Sequence, residues 1–466
     1  MSRDFNPTYA VFKDVVIESF DGNAKEDITG LVTQLTFTQS INASAWTGSM
    51  RVVDSTGTLE HKNFRIRGEE KLSFSVETFD GKMSDPLELE AQIISVTNVK
   101  PTQNLTGVVF DINFMSRISY ETGRRRVRQS FVDLKASEIV EKVFKKYYGN
   151  GRLAEVSPSQ DEVIPFETKK FRTTDLGNGI RIPFYIQPTE GVMRAVIPNL
   201  PPSDTMNFLA QRSYSQNSPS CTFRFFETFT GFWFVTDEFL IQHGVQNSQT
   251  IEEFAYNAVN SQDSQETELQ TNTFRSFSNP QRVNTPKDIF SGGYRSKVIE
   301  VDFSRRRARN IDFNFVEDGN YYTMEGNRIS PRNVDGAMVH SREFAEETFT
   351  DENAKRFIVF KDYYDENGQT LRSNQHYPEI IQNRAAYTHH LGQTTVQAEL
   401  NASRLDLRPG KIINVKVPKF TIEQTPESPY SDYLSGNYLI VSITHQLVDN
   451  VMATNVTLTK YGIDES

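Results

Sequence analysis

Two runs of arginine are the groups in this chain best placed to act through charge. One is Arg124, Arg125, Arg126 and Arg128, and the other is Arg305, Arg306, Arg307 and Arg309. Each reads RRRxR in a chain of formal net charge −10. A guanidinium forms bidentate pairs with carboxylates and phosphates. In a strand, alternation would present some of these side chains on one face. Three readings follow: a solvated edge that resists unwanted strand pairing, a contact with acidic surfaces of another subunit or partner, and a grip on nucleic acid. The acidic balance argues against the third, because that grip rests on Lys and Arg neutralising phosphates.

Other residue types that could do chemistry lack the spacing for it. His389 and His390 are adjacent, and neighbours on a helix point about 100° apart. Histidines that share a metal stand four residues apart on one face. The sequence holds no HExxH, GxSxG or Walker A run. GNG at Gly177–Gly179 lacks the third glycine of a dinucleotide loop and reads as a turn. In DYYDENGQT, Gly368 at the sixth position of a calcium loop puts Asp365 and Asn367 in register. Tyr363 then falls first and Asn374 twelfth, where strong oxygen ligands are needed, so the stretch reads as a hairpin loop. Cys221 is the only cysteine, which excludes an intrachain disulfide and suits a small filler beside a strand. No catalytic, cofactor-binding or metal-binding residue is expected, and the chain does not read as an enzyme.

The elements that carry these residues are mostly strands. Phe (34) and Tyr (18) are abundant, and aromatic richness with frequent Thr and Val favours strands. A chain of 466 residues exceeds the size of a single core. No apolar run is long enough for a membrane span, and MSRDFNPTYA has no signal-peptide pattern. From residue 8 to about residue 118, alternation places Val11, Val15 and Ile17 on one face, then Leu31, Leu35 and Phe37, Leu72, Phe74 and Val76, and Phe110, Ile112 and Phe114. Asp21-Gly22 and Asp80-Gly81 mark turns. The period changes in FVDLKASEIVEKVFKKYYGN, where Ile139, Val140, Val143, Phe144 and Tyr147 line a helix. PPSDTMNFLAQRSYS is a second helix, with Ser203 as N-cap and Met206, Leu209 and Ala210 buried. CTFRFFETFTGFWFV follows as an aromatic hairpin turning near Gly231, which suits a packed core better than a ligand cage.

Alternation returns at Ile299, Val301 and Phe303 and at Ile311, Phe313 and Phe315. Residues 378–392 read as a helix through Ile381, Ala385, Thr388 and Leu391. Four strands follow: Val396, Ala398 and Leu400 facing in with Gln397 and Glu399 facing out, then Ile413 to Val417 after the turn Arg408–Gly410, Leu439, Val441 and Ile443, and Val456 and Leu458. The expected fold is mainly β with an α+β insert: two antiparallel β-barrel domains plus a small helix-hairpin domain. The expected boundaries are 1–125 for the first barrel, 126–245 for the insert and 246–295 for a polar linker. Residues 296–466 form the second barrel, with a charged insertion near 328–377.

The order of these segments resembles the central baseplate hub protein of contractile-tailed bacteriophages. TGSMRVVDSTGTLEHKNFRIRGEEKLSFSVET resembles its first tube domain, and FMSRISYETGRRRVRQSFVDLKASEIVEKVFKKYY the segment leaving it. VIPNLPPSDTMNFLAQRSYS with FRFFETFTGFWFV resembles the helix and hairpin of its inserted domain. LRPGKIINVKVPKF and YLSGNYLIVSITHQLVDN resemble the closing strands of its second tube domain.

The resemblance implies a structural component of the virion tail baseplate, assembled in the host cytoplasm. It implies a homotrimer whose paired barrels make a pseudo-sixfold ring. That ring would join the hexameric tail tube protein to the trimeric spike among other baseplate proteins, with DNA passing through the channel. No cofactor is implied. The chain ends at Ser466, a few residues after its last strand, so the resemblance implies a spike on a separate chain. The two arginine runs, Gln397 and Glu399 become candidate contacts with subunits or partners. Two other functions remain: the equivalent hub of a bacterial contractile secretion or injection machine, and a tail-associated hydrolase, which would need paired carboxylates in a cleft.

Overall fold

The computed structural model describes residues 6–148 except 56, 58, 60–63, 65, 84 and 103–106. Beyond these it describes 153–155, 169–173, 184–216, 221–246, 251–256, 271–281, 295–302, 306–314, 355–360, 380–384, 394–400, 402–419, 430–431 and 434–460. The expected helix of residues 378–392 therefore lies mostly outside the described residues, as do the GNG turn, the DYYDENGQT loop, His389 and His390. Among that helix's described residues Ile380 and Gln382 are buried, and Ile381 is only half-buried.

The first unit is built from β1 (Ala10–Glu18), β2 (Lys25–Asp27), β3 (Val32–Ser40), β4 (Thr47–Asp54), β5 (Lys71–Thr78), β6 (Leu87–Pro101) and β7 (Val108–Ser116). Six of these strands pair antiparallel in the order β1-β5-β6-β7-β4-β3, with β2 as a short hairpin on β1. The alternating residues Leu72, Phe74 and Val76 with Phe110, Ile112 and Phe114 meet Leu35 and Phe37 in one core. Curling of the sheet brings Phe37 of β3 within 6.5 Å of Phe74 of β5. Val11 does not face this core. A bulge between Lys13 and Val16, with Asp14 at φ 53°, reverses the alternation, so Ala10 is buried before it and Val15 and Ile17 after it.

The insert holds α1 (Arg117–Gly123), β8 (Ser130–Lys135), α2 (Ala136–Tyr147), β9 (Leu153–Glu155), β10 (Lys169–Thr173), β11 (Phe184–Ile186) and β12 (Val192–Val196). It continues through α3 (Pro202–Ala210), β13 (Arg224–Thr228), β14 (Gly231–Val235) and α4 (Asp237–Gln246). Its main sheet runs β13-β14-β11-β10-β9, and β8 pairs with β12. Helices α2 and α3 bury Ile139, Val140, Val143, Phe144, Met206 and Leu209 in one core with Phe184, Phe225 and Phe232. Phe144 stacks on Phe184 at 3.8 Å between ring centroids. The aromatic cluster is thus a packed core. Tyr148 is buried within it, and Tyr147 packs partly buried against it. Helix α3 begins at Pro202, and the carbonyl of Pro201 rather than the Ser203 side chain receives the first helical amide, from Thr205 at 2.8 Å. Proline suits that start, since its missing N–H would have no helical partner.

The second unit contains β15 (Glu252–Tyr256), β16 (Thr273–Gln281), β17 (Arg295–Asp302), β18 (Arg307–Asn314), β19 (Lys355–Phe360), β20 (Thr394–Leu400), β21 (Ile412–Lys416), β22 (Gly436–Val448) and β23 (Val451–Lys460). Six of them, in the order β22-β21-β15-β16-β20-β23, close into a barrel when β23 pairs back on β22. Three expectations are corrected here. Residues 246–295, expected as a polar linker, supply the barrel strands β15 and β16. Their anchors Phe254 and Phe274 are fully buried, although the sequence around them is rich in Ser, Asn and Gln. The barrel is also not wholly antiparallel, because β15 runs parallel to both β16 and β21. A parallel pair needs a long crossover, and residues 257–272 separate β15 from β16. Finally, β17, β18 and β19 form a separate three-stranded sheet. It buries Val298 and Phe313, while Ile299 and Val301 are half-buried.

A bulge between Ile440 and Ser442 changes the phase of β22, so Tyr438, Ile440 and Ile443 enter the barrel core and Val441 does not. The other strands follow the expected alternation, with Val396, Ala398, Leu400, Ile413, Val415, Val417, Val456 and Leu458 all facing in.

The two units are hydrogen-bonded into one sheet of 13 strands. Its joint is β3 on β22, an antiparallel ladder running from Ser442↔Ser40 to Val448↔Gln34. The N-terminal segment reinforces the joint: Met452 N–H donates to Thr8 C=O at 2.8 Å, Ala10 N–H to Asn450 C=O at 3.1 Å, and Ser403 N–H to Pro7 C=O at 2.7 Å. Phe37 sits in this ladder with no exposed surface, against the His445 ring at 5.0 Å and Phe229 of the insert at 5.6 Å. Truncation there leaves a cavity bordered by all three units. Phe37→Ala should cost about 3–5 kcal/mol in denaturant unfolding; a loss below about 1 kcal/mol would mean that the joint is not packed as described.

Candidate functional site

The described residues contain no group of three or more His, Cys, Asp or Glu placed to hold a metal ion. Among the described residues no helix is long and apolar enough to cross a membrane. Several polar side chains with unusual environments lie in or beside the joints between units.

The largest is a charge cluster under the second barrel. Arg404 has no exposed surface. Its Nε and Nη2 donate to the two carboxylate oxygens of Asp406 at 2.7 and 2.8 Å, its Nη2 also reaches Glu252 of β15, and its Nη1 reaches Asn272 before β16. The guanidinium lies 5.1 Å from the Phe254 ring centroid. Lys411 approaches the same Glu252 carboxylate at 3.4 Å, and Lys82, from the β5–β6 turn of the first unit, at 3.7 Å. Burial pushes the Asp406 and Glu252 pKa values up, but Arg404 and Lys411 together outweigh it, and both lie below the usual carboxylate range. The planar fork of arginine matches these acceptors, which one ammonium could not.

His445 lies in the β3–β22 joint. Its Nδ1 is 3.2 Å from the Thr454 hydroxyl, and its Nε2 has no partner among the described residues. Burial pulls its pKa down to about 3, against a small opposing effect of Asp406, so the ring is neutral.

The insert touches both units. Phe229, in the β13–β14 turn, packs on Trp46 at 5.5 Å and donates its N–H to Gln39 Oε1 at 2.9 Å. Asn207 of α3 donates to Ser44 at 2.9 Å, and Arg224 reaches Asn42. Toward the second unit, Arg408 lies over the Trp233 ring at 5.0 Å. Gly410 has φ +87°, and a Cβ there would stand 3.1 Å from Leu240 of α4, so the expected turn at 408–410 needs glycine both for its backbone and for this close approach.

The arginine runs lie on different elements. Arg124, Arg125 and Arg126 follow the end of α1 and are not on a strand, which corrects the alternating geometry expected of them. All three and Arg128 are exposed. Several of these guanidinium groups bond locally: Arg125 donates to Tyr147 C=O at 3.2 Å, Arg126 to Gly123 C=O at 3.1 Å and Arg128 to Asn199 Oδ1 at 2.5 Å. Arg305 lies outside the described residues. Arg306, at φ 51°, is in the β17–β18 turn, and Arg307 and Arg309 share one face of β18 opposite Asp302 and Glu300. Gln397 is exposed on β20, and Glu399 beside it is half-buried, 3.9 Å from Arg275.

Sequence reasoning missed Arg404, His445 and Glu227. Arg404 has Asp406 and His445 has Thr454 within ten residues, but Glu252 and Asn272 beside Arg404, Phe37 beside His445, and Ser116 and Ser119 beside Glu227 lie more than 100 residues away. Glu227 alone carried a signal, as a single acid inside the aromatic run FRFFETFTGFWF.

No known protein family matches the chain by its sequence profile, and no curated protein matches it in sequence. In structure it is similar to the tail protein from Neisseria meningitidis MC58, with a TM-score of 0.51 and 7% identity over 96% of each chain. The chain has the fold of a tail protein. It is also similar to the 43 kDa tail protein of prophage MuSo2 from Shewanella oneidensis, with a TM-score of 0.46 and 9% identity over 96% of this chain and 97% of that one. A third similar structure is an Escherichia coli protein described as a component of the type VI secretion system, with a TM-score of 0.38 and 10% identity over 93% of this chain and 76% of that one.

Arg404 gives the site its most direct test. Arg404→Ala leaves two carboxylates without their buried partner and should cost about 3–5 kcal/mol in denaturant unfolding, with Arg404→Lys recovering only part. A loss below about 1 kcal/mol would mean that the cluster is hydrated.

Proposed function

We propose that this chain is the structural hub of a contractile-tail baseplate, a trimeric ring that joins a hexameric tail tube to a trimeric spike and leaves a channel for DNA. The observation that carries this reading is the pairing of two six-stranded units in one continuous sheet. Three copies of such a chain offer six similar units, which is what a threefold ring needs in order to meet a sixfold tube. The likeness to a tail protein over 96% of both chains supports the fold on which the reading depends.

In this reading the chain is not an enzyme, and its polar resources serve shape. Arg404 and its carboxylates hold the second barrel to its neighbours, and the insert braces both units. The exposed Arg124–Arg126 and Arg128, the hairpin arginines Arg306, Arg307 and Arg309, and the outward Gln397 and Glu399 are the assigned contacts with neighbouring subunits or acidic partner surfaces. Arg305 belongs to the same sequence run. The net charge of −10 suits a channel whose wall repels DNA and lets it slide.

The mass of the intact protein in solution tests the reading. At micromolar concentration it should be near three times 53.3 kDa, with threefold particles in electron micrographs. A strict monomer under those conditions would contradict the ring.

A further inference from the structure

The insert meets the first unit around a buried acid. Glu227 of β13 is 3% exposed. Ser116 Oγ donates to its Oε1 at 2.5 Å and Ser119 Oγ to its Oε2 at 2.7 Å, and the backbone N–H of Trp46 bonds it as well. Two residues further on, the Phe229 ring enters the first unit between Phe37 and Trp46.

The charged groups on the surrounding elements are otherwise engaged. On α1, Arg117 is bonded to Glu90 at 2.8 Å and Glu121 at 3.0 Å. On β13 itself, Arg224 is paired with Asp237 of α4 at 2.6 Å. After α2, Tyr148 is buried, and burial together with Glu227 and Asp204 of α3 holds its hydroxyl protonated. From the first unit, Ser116, Trp46 and Gln39 present only neutral groups. No cation pairs with Glu227 among the described residues.

An ionised carboxylate at this joint is therefore a buried charge with neutral donors and no counter-ion, an expensive arrangement. A protonated one returns its own O–H to a serine oxygen and carries no charge. With the hairpin undocked, the same carboxyl meets water and titrates near the ordinary glutamate value of about 4.3. We propose that Glu227 is a proton-linked latch: a proton held on this carboxyl fastens the hairpin of the insert into the first unit, and its loss loosens the joint. Burial pushes the Glu227 pKa up to about 8, against the pull of Ser116, Ser119 and Trp46.

The sign follows from linkage. The docked state binds the proton more tightly than the undocked state, so the latch is complete below about pH 4.3 and weakens as pH rises. One proton gives about a tenfold change per pH unit, levelling off above about pH 8. The inference stands apart from the proposed hub role, since a monomer would carry the same latch.

Hydrogen exchange of the full chain, read between pH 5 and 9 with the intrinsic chemistry divided out, tests it. Relative to β22–β23, opening of residues 224–235 should rise about tenfold per unit between pH 5.5 and 7.5 and flatten above 8. Fluorescence of Trp46 and Trp233, the only two tryptophans, reads the same joint. Glu227→Gln should abolish the slope. Ser119→Ala, which removes a donor to the ionised form, should move the plateau to higher pH, and it serves the test even if the glutamine variant does not fold. The latch is overturned if the hairpin and β22–β23 respond to pH in parallel, if Glu227→Gln keeps the slope, or if Ser119→Ala leaves the plateau where it was.

Discussion

The ladder between β3 and β22 is the interaction on which the rest of this structure depends. Each of its strands belongs to a six-stranded unit, and each also pairs with the other. Two separate barrels on a linker would move independently, whereas here a shift of one unit against the other must break backbone hydrogen bonds. The ladder is also buried from both ends, by Phe37 and Leu447 on the first-unit side and Ile443 on the barrel side. A neutral His445 sits in the middle of it, desolvated on all sides.

The insert acts as a brace on that ladder. Its hairpin tip reaches Trp46 and Gln39 in the first unit, while Trp233 and Leu240 meet the 408–410 turn of the second. The Arg404 cluster adds a charged fastening in the same region, with Lys82 of the first unit and Glu252 of the second within 3.7 Å. The joints are thus held by different kinds of force. A ladder resists sliding, an aromatic plug resists water, and a buried ion cluster tolerates no missing member. The hub reading needs that rigidity, because a ring that links two other assemblies must keep six units in fixed relation.

Much of the fold was legible from period alone. Leu72, Phe74 and Val76, or Val396, Ala398 and Leu400, alternate because one face of each strand is buried, and no distant information is needed to see it. The α2 stripe was legible for the same reason at the helical period. Sequence reasoning failed where geometry is set from afar. The bulges at Asp14 and Val441 each add a residue and reverse the phase, so Val11 and Val441 were assigned to the wrong face. Strands β15 and β16 lie in polar surroundings and show their place only through Phe254 and Phe274, whose burial depends on strands more than 100 residues further along the chain. Strands β17 and β18 alternate well but pair with each other, and β17 with β19, instead of joining the barrel, and nothing local separates the two outcomes. The arginine runs stood out as composition, yet the first follows a helix end and the second turns a hairpin.

The most direct test of this account is site-resolved hydrogen exchange of the intact protein on the amides of Gln34–Ser40 and Ser442–Val448. If the ladder fuses the two units, these amides exchange as slowly as those between β22 and β23, and they open only when both units do. Exchange at the joint that is orders of magnitude faster than inside either unit would show two bodies moving separately, and would contradict it.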